Sequence, residues 1–119
     1  MWSIQNRMIN GLYFKQTCVI APEQYDVFLD EKYVAYVRCR FGKLKVNPVN
    51  DEIIIPNVTK ITDNDFENYE DTFDMYAHTD FNTNIYFKEW PETPYKSDIP
   101  EEEFTNISNA IYEYLKEEK

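Results

Sequence analysis

Between Gly11 and Pro48 apolar and polar side chains alternate with a period of two, and the apolar set is rich in β-branched and aromatic residues. This is the signature of strands with one face buried. The pattern predicts four strands: Leu12–Ile20, closed by Ala21-Pro22; Gln24–Leu29, ended by the polar Asp30-Glu31-Lys32 turn; Tyr33–Arg40; and Lys43–Asn47, joined to its predecessor through Phe41-Gly42. Asp51–Ile55 reads as a short fifth strand before Pro56, and Asn84–Glu89 as a further one.

Register follows from the faces, because a slip of one residue would turn every apolar side chain to the wrong side. Pairing Leu29 with Tyr33, Val27 with Ala35 and Tyr25 with Val37 gathers apolar residues on one face. If Phe41-Gly42 is a two-residue loop, Cys39 opposes Leu44 and Val37 opposes Val46. The other face then sets Arg40 against Lys43 and Arg38 against Lys45. Like charges directly opposed destabilise a sheet, so this arrangement calls for compensation or a purpose. A type I′ turn there requires positive φ at Phe41, and a three-residue loop with a G1 bulge would scramble the pairing.

Beyond Pro56 the period changes. Phe66, Tyr69, Phe73 and Tyr76 recur at helical spacing, with Thr62 as N-cap and Asp65 three residues on, which predicts a helix over Asp63–Ala77. The last helix is signalled by Asp98 as cap, by Glu101 completing a capping-box pair, and by Glu102 and Glu103 at the positive end of the helix dipole. Phe104, Ile107, Ile111, Tyr114 and Leu115 form its apolar stripe. The fold class expected is α+β: a mainly antiparallel sheet of about four to six strands packed against a C-terminal helix, with a second helix in the middle segment.

Composition narrows this. The 119 residues suit one hydrophobic core and a single domain, and an aromatic share of 17% supplies the material for it. Only two glycines are present, which argues against a phosphate-cradling glycine loop. The start lacks an apolar stretch of signal-peptide length, and no run approaches bilayer-spanning length. Cys18 and Cys39 stand far apart without a C-x-x-C motif, so free thiols in a reducing, cytoplasmic setting are expected.

Charge changes the picture more. The formal net charge is −10, but residues 1–50 carry seven bases against four acids, net +3, while residues 51–119 carry five bases against eighteen acids, net −13. Asymmetry of this kind points toward charged partners. Asp63, Asp65, Glu67, Glu70, Asp71 and Asp74, interleaved with Phe66, Tyr69, Phe73 and Tyr76, form an acidic segment that suits a basic protein partner, with carboxylates imitating nucleic acid and aromatic side chains as anchors. The same residues also describe an ordinary amphipathic helix with a solvated outer face. Arg38, Arg40, Lys43 and Lys45, with Tyr36 and Phe28 on the same side, form an alternative site for a nucleotide or single-stranded nucleic acid, through phosphate pairing and stacking. The bland alternative is that acids of the 51–119 segment neutralise those bases internally.

Other chemistry is thin. The spacing of acids from Asp63 to Asp74 fails as a calcium loop, since Asn68 stands at the turn glycine and Asp74 at the bidentate glutamate. His78, flanked by Asp74 and Asp80, is the sole histidine and the one candidate for a small enzyme site. No catalytic motif, metal site or cofactor is read from the chain. Small size, acidity and aromatic richness without such a motif are the profile of phage or bacterial inhibitor and accessory proteins. The leading expectation is a non-enzymatic binder of a basic partner.

Overall fold

The computed structural model describes residues 5–18 and 22–117. Six strands follow one another as an antiparallel meander: β1 (Arg7–Ile9), β2 (Leu12–Gln16), β3 (Glu23–Leu29), β4 (Lys32–Arg40), β5 (Lys43–Pro48) and β6 (Tyr86–Glu89). Helix α1 (Asp63–Phe73), a 3-10 turn over Met75–His78 and helix α2 (Glu101–Glu117) complete the α+β architecture. No helix among the described residues is long and apolar enough to cross a membrane. The expected first strand ends earlier, at Gln16, and its far end at Val19 and Ile20 lies outside the described residues.

Three hairpins turn on two-residue loops with both φ angles positive: Asn10-Gly11, Asp30-Glu31 and Phe41-Gly42. Such loops match the right-handed strand twist, but Glu31 and Phe41 adopt a conformation that a side chain disfavours. Glu31 is held by long-range bonds: its carbonyl accepts from Ile55 N at 2.9 Å and its carboxylate from Asn57 N at 2.7 Å. At Gly42 a Cβ would lie 2.8 Å from the Thr93 carbonyl oxygen, so glycine is required there and Phe41 must take the other left-handed position.

The β4–β5 register is as the side-chain faces predict, with Val37 opposite Val46, Cys39 opposite Leu44, Arg38 opposite Lys45 and Arg40 opposite Lys43. In the β3–β4 hairpin Val27 pairs with Ala35 and Tyr25 with Val37, but Leu29 meets Lys32 rather than Tyr33. A bulge beside Val27/Phe28 moves the register. It lets Val34 join the core on one face while Tyr33 packs on the other.

The two faces bury different things. On one, Leu12, Phe14, Tyr25, Val27, Val37, Leu44 and Val46 pack beneath Phe104, Ile107 and Ile111 of α2. Phe14, Tyr25 and Phe104 meet edge to face, with centroids 5.6–5.9 Å apart. The other face carries a smaller cluster of Phe28, Tyr33, Tyr36, Ile53, Ile55, Val58, Phe66 and Met75.

Three expectations need correction. Asp51–Ile55 is not a strand: it touches the sheet through one bridge, Ile54 with Lys32, and delivers Ile53 and Ile55 to the second cluster. The middle helix stops at Phe73, because Asp74 turns left-handed (φ 49°) and the chain tightens into the 3-10 turn. Its start is as read, with Thr62 Oγ1 accepting from Asp65 N at 3.1 Å. Asp98 does not cap α2, which begins at Glu101; its carbonyl instead accepts from Cys39 Sγ at 3.5 Å. Glu101 spends its carboxylate on Arg7, at 2.7 Å. β1 has no counterpart in the sequence reading, since three residues are too few to show a period.

Candidate functional site

Because β4 and β5 alternate strictly, the residues between their buried apolar positions all emerge on the face opposite α2: Tyr36, Arg38 and Arg40 from one strand, Lys43, Lys45 and Asn47 from the other. With Phe41 at the turn and Phe81 from the 80–84 loop they line an open groove of about 220 Å³. The four cations occupy two adjacent cross-strand pairs. Among the described residues, none of the four forms an ion pair with a carboxylate. Glu89 sits opposite Lys43 on β6 without bonding to it. Arg38 is half-buried, and its Nε is enclosed without a hydrogen-bond partner. The Arg40 guanidinium lies 4.5 Å from the centroid of the Phe41 ring, within cation–π range.

Of the two aromatic platforms expected from the sequence, neither is available. Phe28 is buried beneath Phe66, at a centroid distance of 5.9 Å. Tyr36 is only 5% exposed, roofed by Tyr76 and Phe81, each 5.8 Å away. Burial pushes its phenol pKa up against the pull of Arg38, so it remains neutral and donates to Gln24 Oε1 at 3.1 Å. Phe41 and Phe81 supply the open rings instead, at 64% and 43% exposed. Phe81 is steadied by its loop: Asp80 N donates to the Pro48 carbonyl, Thr83 Oγ1 to Asp80 Oδ2, and Asn47 Nδ2 to the Thr83 carbonyl. Nothing local announces Phe81; only the return of the chain after the 3-10 turn brings it beside Tyr36.

The acidic segment divides. Asp63 pairs with Lys15 Nζ at 2.5 Å, and that lysine is 2% exposed with Phe66 beside it. Glu70 is partly buried and faces Asp26, which is fully enclosed on β3. Desolvation first, and then mutual repulsion, raises the Asp26 carboxyl well above its ordinary range. Burial raises the Glu70 carboxyl too. Asp65, Glu67 and Asp71 on α1, and Asp74 at its C-cap, are exposed. Of the interleaved aromatics Phe66 is buried, Tyr69 and Phe73 stack on each other, and Tyr76 turns toward the basic groove side. A cavity of about 440 Å³ beside Lys15 is bounded by Asp63, Phe66, Glu67 and Glu70.

His78 ends the 3-10 turn and hydrogen-bonds Asp51 Oδ2 through Nδ1 at 2.5 Å. It lines none of the cavities described. Among the described residues no group of three or more His, Cys, Asp or Glu is placed to hold a metal ion, and Cys18 and Cys39 are free thiols. Comparison with known proteins adds no analogy, since no family model, curated protein or solved structure matches the chain.

Proposed function

We propose that this protein is a non-enzymatic binder of a phosphate-bearing ligand, a nucleotide or single-stranded nucleic acid, on the open face of the β4–β5 hairpin. The observation that carries this reading is the quartet Arg38, Arg40, Lys43 and Lys45, gathered into one groove without a carboxylate partner among the described residues. Opposed like charges cost stability, and an acidic chain has carboxylates in plenty with which to relieve them. Leaving them unrelieved suits a site whose counter-ion is the ligand. The decisive experiment is fluorescence anisotropy of labelled single- and double-stranded oligonucleotides at low and moderate salt, comparing wild type with Arg38→Glu/Arg40→Glu. Salt-sensitive binding that the double variant loses supports the reading; absence of binding at low salt rejects it.

A second reading has one observation in its favour. Asp65, Glu67 and Asp71 on α1, and Asp74 at its C-cap, are exposed and able to meet a basic protein partner. It has less support, because Asp63 and Glu70 are engaged inside the molecule and Phe66 is buried, which leaves Phe73 and Tyr76 as the exposed rings. It predicts salt-sensitive binding to a basic nucleic-acid-binding protein. Loss of that binding on reversal of Asp65, Glu67 and Asp71 is its test.

A further inference from the structure

The groove has a length and two ends, and these say more about its ligand than its charge does. Phe41 closes one end at the β4–β5 turn, while Phe81, resting on Tyr76 at 4.6 Å, closes the other. Between them the backbone from Tyr36 to Phe41 spans roughly 17 Å at about 3.4 Å per residue. Along either strand, neighbouring cations of the quartet stand two residues apart, roughly 6.8 Å on the same rise. That is comparable with the separation of successive phosphates in an extended single strand. A lone phosphate or a mononucleotide would engage one cross-strand pair and one aromatic end, leaving the other pair opposed and unneutralised.

The Phe41 backbone supports a role for that end. A phenylalanine at φ 56° is held against its own preference, and the hold comes from outside the hairpin: Gly42 N donates to the Lys96 carbonyl, and Trp90 N donates to the Gly42 carbonyl. Strain of this kind persists where the surroundings over-determine it, and here it presents an aromatic ring to solvent rather than burying one. Arg40 covers one side of that ring, leaving its edge and opposite face for a base.

We infer that the groove takes a single-stranded nucleic-acid segment of about two or three nucleotides at the spacing given by the strand rise. Successive phosphates lie on the Arg40/Lys43 and Arg38/Lys45 pairs, and the terminal bases stack on Phe41 and Phe81. This inference rests on the reading of the groove as a phosphate site and names its ligand class. Paired bases in a duplex hide the faces that Phe41 and Phe81 require, so duplex is disfavoured. The net charge of −10 works against long polyanions and leaves a short accessible segment as the suitable ligand.

The test is a titration at low salt with thymidine monophosphate and with oligothymidylates of increasing length, alongside competition by inorganic pyrophosphate. Wild type, Phe41→Ala and Phe81→Ala are compared, both rings being exposed enough for the variants to fold, as circular dichroism would verify. Affinity should rise about ten-fold or more from the mononucleotide to the trinucleotide and then level off. Each alanine variant should weaken trinucleotide binding by about ten-fold and pyrophosphate binding by clearly less, since pyrophosphate has no base to stack. Equal affinity for mononucleotide and trinucleotide, or trinucleotide binding indifferent to both substitutions, overturns this inference while leaving the phosphate site standing. Failure of pyrophosphate and every oligonucleotide to bind removes the groove reading itself, and this inference with it.

Discussion

One face of the sheet meets its cations in two opposite ways. Over β2 and β3, Lys15 is enclosed, paired with Asp63, flanked by Phe66 and set near the Asp26 and Glu70 carboxyls. Over β4 and β5, Arg38, Arg40, Lys43 and Lys45 stand in an open groove, and among the described residues no carboxylate is bonded to them. The difference follows from how far α1 reaches. Where the helix covers the sheet water is excluded, and a charge there must be paired or neutralised to be tolerated. Where it does not, the groove is open to water, the enclosed Arg38 Nε apart, and pairing is optional. Internal neutralisation, the bland expectation for the quartet, is found at Lys15 instead and, among the described residues, not at the quartet.

The strongest way to break the comparison is to remove the cover. Phe66→Ala deletes the buried ring that fixes α1 to Phe28 and should cost about 3–5 kcal/mol in urea denaturation. Under conditions where this variant remains folded, oligonucleotide affinity at the open half should be unchanged. A parallel loss of binding would show that α1 organises the groove as well as the covered half.

Next comes charge reversal on the open half. Arg38→Glu/Arg40→Glu converts two like-charge cross-strand pairs into opposite-charge pairs with Lys45 and Lys43. Stability should rise by about 0.5–2 kcal/mol while nucleic-acid binding is lost. A fall in stability would mean that the quartet is part of the scaffold rather than a site.

The covered half should also leave a mark in pH dependence. Asp26 and Glu70 both have carboxyl pKa values raised by burial, so the folded protein binds protons that the unfolded chain has released. Their contribution is complete below the ordinary carboxyl range and is lost as pH rises from that range through the raised values. Asp26→Asn should flatten this part of the profile of urea midpoint against pH. An unaltered profile would show that Asp26 does not carry this dependence. The smallest effect belongs to the solvated outer side of α1, where Asp71→Asn should change stability by no more than about 0.5 kcal/mol by the same measurement.

Most strands and both helices were legible because their periods persist over several residues. The open site was legible in part for the same reason: a strict alternation over Arg38–Arg40 and Lys43–Lys45, closed by a two-residue turn, leaves those cations one face to occupy. What escaped the sequence depended on partners far along the chain. The bulge beside Val27/Phe28 serves two cores at once, and the left-handed Phe41 is held by the 90–96 segment.

The sequence by itself determined the α+β class and, given a two-residue Phe41-Gly42 loop, the β4–β5 register and the common face of the four cations. These rest on local periodicity and on the impossibility of slipping a half-buried strand by one residue. Only the tertiary structure decided which aromatic rings remain open, placing Phe28 under α1 and bringing Phe81 to the groove. It alone decided which charges are paired, giving Asp63 to Lys15 and, among the described residues, no carboxylate to the quartet. Side-chain period dictates the face a residue occupies, but what covers that face depends on where distant segments pack.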